Sequence, residues 1–151
     1  RLYALAVREP DAAARLRDRL RLSKTEYERL ADLELPDPAF EAEAPDLRAK
    51  AYIYRRSQSA FRDGLLLTWA RDVAAPVDAA AYRERLQLPE RWQAPLFPVS
   101  GKDVLALGLP AGPQVGHVLA TLEQWWITAG FPSDKALLRS RLAGIVNLKK
   151  S

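Results

Sequence analysis

The chain has 151 residues, 48% apolar and 28% charged, with 23 basic and 19 acidic side chains giving a net charge of +4. That length suits one domain, or two small helical subdomains, and is enough to bury a core. No cysteine is present, which excludes disulfides, thiolate metal sites and cysteine nucleophiles, and no apolar run reaches the roughly 18 residues of a membrane span. No membrane partner is expected, and the expected location is cytoplasmic. The chain also lacks methionine and opens in mid-pattern on Arg1-Leu-Tyr-Ala-Leu-Ala-Val7, so a piece of a longer protein is expected.

Helix signals dominate in chain order and strand signals are nearly absent. Pro10 suits the first turn of a helix running to about Leu20, with Leu16 and Leu20 on one face and Arg15 and Arg19 on another. Ser23 and Glu26 form a capping-box pattern that opens a second helix through about Leu33. Pro36, Pro38 and Pro45 then mark an acidic loop. A further helix starts near Asp46, with Leu47, Ala51 and Tyr54 at i, i+4 and i+7. The pattern weakens at 57–59, and 60–73 resumes as a strongly apolar helix that Pro76 breaks. A short helix is expected over 78–88. Pro89, Pro95 and Pro98 bracket an extended segment over 92–99 that is expected to lie across the helices. The sum is an all-α bundle of about eight short helices, with two helical subdomains compatible and a seam near 89–100.

The stretch from Gly101 to Leu119 carries the most information. Residues 102–107 suit a short helix before Gly108, which can take the left-handed conformation that ends helices. Leu109 to Gly112 forms a corner, and Pro113 stands at the first turn of the next helix. There Val115, Val118, Leu119, Leu122, Trp125, Trp126 and Ala129 recur on one apolar face, and Gln114, His117, Thr121, Gln124 and Thr128 lie opposite. Gly116 would allow the preceding helix or an RNA backbone to approach closely. Gly130 and Pro132 end the helix, and a last helix starts near Ser133. The unit reads as a packed helical corner. A compatible reading has the main-chain N–H groups of Gly112, Gln114 and Val115 offered to a phosphate, with Lys102 adding charge.

The wording of that stretch, with Gly101, Asp103, Val104, Leu107, Gly108, Gly112, Pro113, Gly116, Leu119, Trp125 and Trp126, resembles the C-terminal region of bacterial tRNA nucleotidyltransferases, the CCA-adding enzyme and poly(A) polymerase family. Two other stretches are similar to the same family: Leu16 to Leu30, with its Leu-Arg-Leu-Ser-x-x-Glu corner, and Arg48 to Trp69. The resemblance departs at Gln58, where the family has a glycine between two helices. It implies a parent enzyme that adds nucleotides to RNA 3′ ends, with magnesium and ATP or CTP held in a catalytic head and neck. Residues 1–88 would be a helical, body-like RNA-binding region, and 89–151 a tail-like region holding the 101–119 motif. The implied partners are tRNA or another structured RNA and the parent's own head and neck. The head's glycine-rich strand and carboxylate pair find no counterpart here, because the first glycine is Gly64. Asp32 and Glu34 read as surface beside Pro36. No catalytic residue and no metal ligand is therefore assigned, and no cofactor is expected in this chain.

Charge is segregated. Seven acids stand against Arg29 between Glu28 and Asp46, whereas Lys135, Arg139, Arg141, Lys149 and Lys150 follow Asp134 without an acid. Solvated helix faces account for such runs, and so does a face that favours phosphate. The residues assigned to RNA are Arg48, Tyr52, Arg55, Arg56, Lys102, Gln114 and His117. If 47–63 is one helix, Arg48, Tyr52, Arg55, Ser59 and Arg62 share a face. If it breaks near Ser57, only Arg48, Tyr52, Arg55 and Arg56 remain together. The competing reading has Tyr52 partly buried and the arginines paired with acids of 28–46. His117 lacks partners at metal-ligand spacing and is read as a surface or RNA-contacting group. Trp69, Trp92, Trp125 and Trp126 are read as mostly core, with one of the adjacent pair Trp125 and Trp126 less buried. The alternative function is a stand-alone helical protein–protein interaction module.

Overall fold

A computed structural model describes residues 12–31, 37–72 and 79–150. The start of the first helix at Pro10, the acid pair Asp32 and Glu34, and the break at Pro76 lie outside them. The described residues are all-α, with no strand among them. The chain divides into two compact units, Arg1–Ala94 and Pro95–Ser151.

In the first unit, α1 (Ala12–Leu20) turns through Arg21 into α2 (Lys24–Ala31). The turn is set by the expected capping box. Ser23 Oγ and its N–H both donate to the Glu26 carboxylate (2.7 and 2.9 Å), and the Glu26 N–H donates back to Ser23 Oγ (3.3 Å). Ala13 and Leu30 are buried together, with Leu16, Leu22 and Tyr27 packed around them. A 3-10 turn at Pro38–Phe40 leads to α3 (Asp46–Arg55) and α4 (Gln58–Arg71). These are two helices, not one. Arg56 adopts φ −117°, ψ −93°, and Ser57 caps α4 by accepting from the Ala60 N–H at 3.0 Å. Helix α4 thus starts at Gln58, two residues before the expected apolar run.

Phe40, Ala49, Ile53, Phe61, Leu65 and Tyr82 form the core of this unit. Helices α5 (Ala80–Leu86) and α6 (Leu88–Arg91) complete it. Pro89, read from sequence as the start of an extended segment, instead lies buried in the first turn of α6, where its missing N–H costs nothing. The chain leaves helix only after Arg91, and 92–100 has no regular structure.

The second unit holds α7 (Gly101–Ala106), α8 (Pro113–Thr128) and α9 (Lys135–Lys150). Ser100 and Asp103 form a second capping box, which the sequence reading missed (Ser100 N–H and Oγ to Asp103 Oδ2, 2.8 and 2.7 Å). Gly108 takes φ 81° and ends α7 as expected. Helix α8 ends in a Schellman motif. The Phe131 N–H donates to Trp126 O (2.9 Å), the Gly130 N–H donates to Ile127 O (3.0 Å), and the Phe131 ring meets Trp126 edge-on at 5.0 Å. Helix α9 opens at Lys135, because the Asp134 carboxylate accepts from the Ala136 N–H at 2.8 Å.

Val104, Leu109, Val118, Leu122, Leu142 and Val146 form the core here. Two details of the α8 face differ from the pattern. Ala129 is exposed because the helix has ended at Thr128, while Ile127 is buried. Of the tryptophans, Trp126 alone is buried, its Nε1–H bonded to Pro132 O at 2.8 Å. Trp69, Trp92 and Trp125 are half-buried, so the sequence placed Trp69 and Trp92 too deep.

Candidate nucleic-acid interface

The break between α3 and α4 decides which basic residues can act together. In a continuous helix Arg55 and Arg56 would point about 100° apart. The non-helical backbone at Arg56 instead lets both arginines line one cleft of about 430 Å³, with Tyr27, Glu28 and Ala31 of α2 and with Ser57 and Ala60. Arg55 and Arg56 are exposed, and Tyr27 and Ser57 are half-buried. Glu28 is partly occupied by Lys24, 3.7 Å away on the same helix. Arg48 is exposed on α3, one turn before Tyr52.

Tyr52 is not a free stacking platform. Its ring meets Phe40 edge-on at 4.8 Å and lies 6.3 Å from Phe61, so it is half-buried as the competing reading required. The helix break also overturns the longer stripe. Ser59 faces the Ser57 hydroxyl at 3.0 Å, and Arg62 donates to Glu90 at 2.7 Å. Arg29, alone among the acids in sequence, forms a two-pronged pair with Asp63 of α4.

Among the described residues, the most buried charged group was not singled out in the sequence. Arg85 is 6% exposed and donates to Ala44 O (2.6 Å) and Ala39 O (2.8 Å), with Asp46 at 3.8 Å. Burial pushes its pKa below the usual guanidinium value, and Asp46 opposes that shift. Its place i+3 from Tyr82 on a short helix was the available signal. Tyr27 and Ser57 of the cleft were missed for another reason: Tyr27 entered the reading only as a helix residue and Ser57 only as the place where the helical pattern weakens.

In the second unit Lys102 is exposed on α7, and Gln114 and His117 are exposed one turn apart on α8. Of the three N–H groups read as phosphate donors, that of Val115 is already bonded to Gly112 O at 3.1 Å, as expected where a helix tightens its first turn. Within 4 Å of a methyl group built on Gly116 there is nothing, so no neighbouring helix uses the space that residue leaves. The half-buried Trp125 carries Arg141 over its ring at 5.4 Å. Asp103 is held below the usual carboxylate range, chiefly by the Ser100 hydroxyl and N–H, with Arg139 adding to the shift. Among the described residues no group of three or more His, Cys, Asp or Glu side chains could hold a metal ion, and no helix is long and apolar enough to cross a membrane.

Over 51 residues, 34% of its length, the chain is 35% identical to the CCA tRNA nucleotidyltransferase 1, mitochondrial, of Mus musculus and to that of Homo sapiens. Part of this chain is related to tRNA nucleotidyltransferases. The Danio rerio protein of the same name is 38% identical over 53 residues, 35% of the chain. These matches span 12% of each relative. No family model matches the chain, and no solved structure matches it.

Proposed function

We propose that this chain is an RNA-binding, C-terminal portion of a tRNA nucleotidyltransferase or poly(A) polymerase of the bacterial kind. It positions tRNA for nucleotide addition at the 3′ end by a catalytic head that is not among these residues. Residues 1–88 serve as the body and 89–151 as the tail. The observation that carries the reading is the 35% identity, over 51 residues of the chain, to proteins named CCA tRNA nucleotidyltransferase 1, mitochondrial. Exposed Arg48, Arg55 and Lys102 on helices, and exposed Arg56 at the α3–α4 break, support it, since contacts to structured RNA are largely to phosphate and shape. Magnesium and ATP or CTP belong to the head.

The test is fluorescence anisotropy of labelled tRNA with the purified chain. If about three phosphates are contacted, affinity drops roughly 30-fold between 50 and 200 mM salt. Absence of tRNA binding by a folded sample at 50 mM salt overturns the reading in favour of a helical protein–protein interaction module. Incorporation of labelled ATP or CTP into tRNA by the purified chain with magnesium would show that the head is not needed, against the same proposal.

A further inference from the structure

We propose that the surface where α9 borders α7 is a contact for the sugar–phosphate backbone of RNA, with Lys102, Lys135 and Arg139 as its cations. The inference rests on the RNA-binding reading and deepens it, because it assigns the main electrostatic contact to the second unit.

Charge is unevenly divided between the units. The second, Pro95–Ser151, has six basic and three acidic side chains, so little more than a third of the chain holds most of the net charge of +4. Each of those acids is already engaged. Asp103 closes the α7 capping box, the Asp134 carboxylate caps α9, and Glu123 is half-buried with a partner of its own. The three cations are not. Lys102, Lys135 and Arg139 are exposed, and among the described residues none of them makes a hydrogen bond or an ion pair. In the first unit, by contrast, Lys24, Arg29, Arg62 and Arg85 all stand against carboxylates.

Position brings the cations together. Lys135 and Arg139 are four residues apart on α9, so they share one flank, about 6 Å apart along the helix axis. Both border a hollow of about 150 Å³ with Asp103 of α7. Arg139 also helps to lower the Asp103 pKa, which puts its guanidinium on the α7 side. Lys102 is the residue before Asp103, whereas Arg141 belongs to the other flank of α9, over the Trp125 ring. Leu138 and Leu142 are buried and anchor this stretch of α9 in the core, so the cations stand on a fixed helix. The hollow is smaller than the roughly 300–1,000 Å³ of small-molecule sites, and among the described residues that line it there is no aromatic ring. Such a surface suits a phosphate backbone that runs past it, not a nucleotide that inserts and stacks. Kinship to tRNA nucleotidyltransferases makes RNA the polyanion of choice.

The experiment uses the whole chain and a labelled tRNA transcript, with anisotropy followed across a salt series and circular dichroism to confirm that each variant is folded. The variants are Lys102→Gln, Lys135→Gln, Arg139→Gln and the double change Lys135→Gln/Arg139→Gln. Arg83→Gln, at an exposed arginine of α5 in the first unit, controls for simple loss of charge. Each single change at the surface is expected to weaken binding about threefold to fivefold at 50 mM salt and to lower the salt slope by about one. The double change should weaken it about tenfold or more and lower the slope by about two, while Arg83→Gln leaves the slope unchanged. Asp103→Asn, which removes the acid beside the cations, is expected to strengthen binding about twofold to threefold. If the wild type binds tRNA and the folded double variant keeps its affinity and slope, the surface is wrong and the RNA-binding reading stands. If Arg83→Gln lowers the slope as much as Lys135→Gln does, net charge alone accounts for the effect and the surface is again wrong. Absence of tRNA binding by the folded wild type at 50 mM salt overturns the RNA-binding reading and this inference with it.

Discussion

Gly64 is buried in α4 with the Phe40 ring where its side chain would be: a Cβ there would lie 2.2 Å from Cζ and 2.5 Å from the two flanking ring carbons. Two effects oppose each other in Gly64→Ala. Helix propensity favours alanine by about 1 kcal/mol. Forcing a methyl group into a filled core costs roughly 1–3 kcal/mol, and here the obstacle is a rigid ring in contact with Tyr52 and Phe61. The clash wins, so Gly64→Ala is expected to lower stability by up to about 2 kcal/mol in urea unfolding. Adding Phe40→Leu should recover part of that loss, and an additive double variant would show that the two residues do not share the space. Arg85 is the second residue whose chemistry is decided by burial. Removing its guanidinium leaves the Ala39 and Ala44 carbonyls without their donor, and each buried unsatisfied group costs about 1–3 kcal/mol. Arg85→Met is expected to be destabilising by roughly 2–5 kcal/mol, with Arg85→Lys intermediate because one ammonium cannot reproduce the planar fork. Equal unfolding midpoints for the wild type and Arg85→Met would contradict this account.

Helix ends in this chain are set by a few side chains whose ionisation matters. Glu26 is held below the usual carboxylate range by the Ser23 hydroxyl and N–H, and Asp103 by those of Ser100. A carboxylate whose folded pKa is depressed contributes stability that is fully present above its unfolded value of about 4 and disappears as the pH falls through the lower folded value. Far-ultraviolet circular dichroism should therefore show helix loss below about pH 4 that is smaller in Glu26→Gln with Asp103→Asn, because those variants have already lost the charged cap. At neutral pH, Ser100→Ala alone should cost about 1 kcal/mol in the second unit. The first capping box was legible because Ser23 and Glu26 stand three apart before an apolar run. The second has the same spacing but was hidden by the proline-rich words around it. The α3–α4 break was legible only as an alternative, since Ser57 signals a cap while Gln58 carries no turn preference. Hence the cleft it creates could not be read. Tyr27 and Arg56 are 29 positions apart, and only the fold brings them to one cleft.

At the scale of the whole molecule, each unit has its own apolar core, one around Phe40, Phe61 and Leu65 and one around Val104, Leu122 and Leu142. The residues between the last helix of the first and the first helix of the second, 92–100, have no helical hydrogen-bond ladder to protect them. Within that segment Leu96 is 92% exposed, whereas Phe97 packs against Trp126 at 5.3 Å and Val99 against the second core. Protease sensitivity follows local opening, and a side chain already in water at an irregular segment needs the least opening. Brief digestion with chymotrypsin at low enzyme ratio should therefore cut first after Leu96. Intact-mass analysis would then find one product ending at Leu96 and another beginning at Phe97. The second product should keep its tryptophan near-ultraviolet circular dichroism, because Trp126 retains Phe97, Phe131 and its bond to Pro132. If the first cuts fall instead within α8 or α9, the helices of the second unit open more easily than its packing around Leu122 and Leu142 allows.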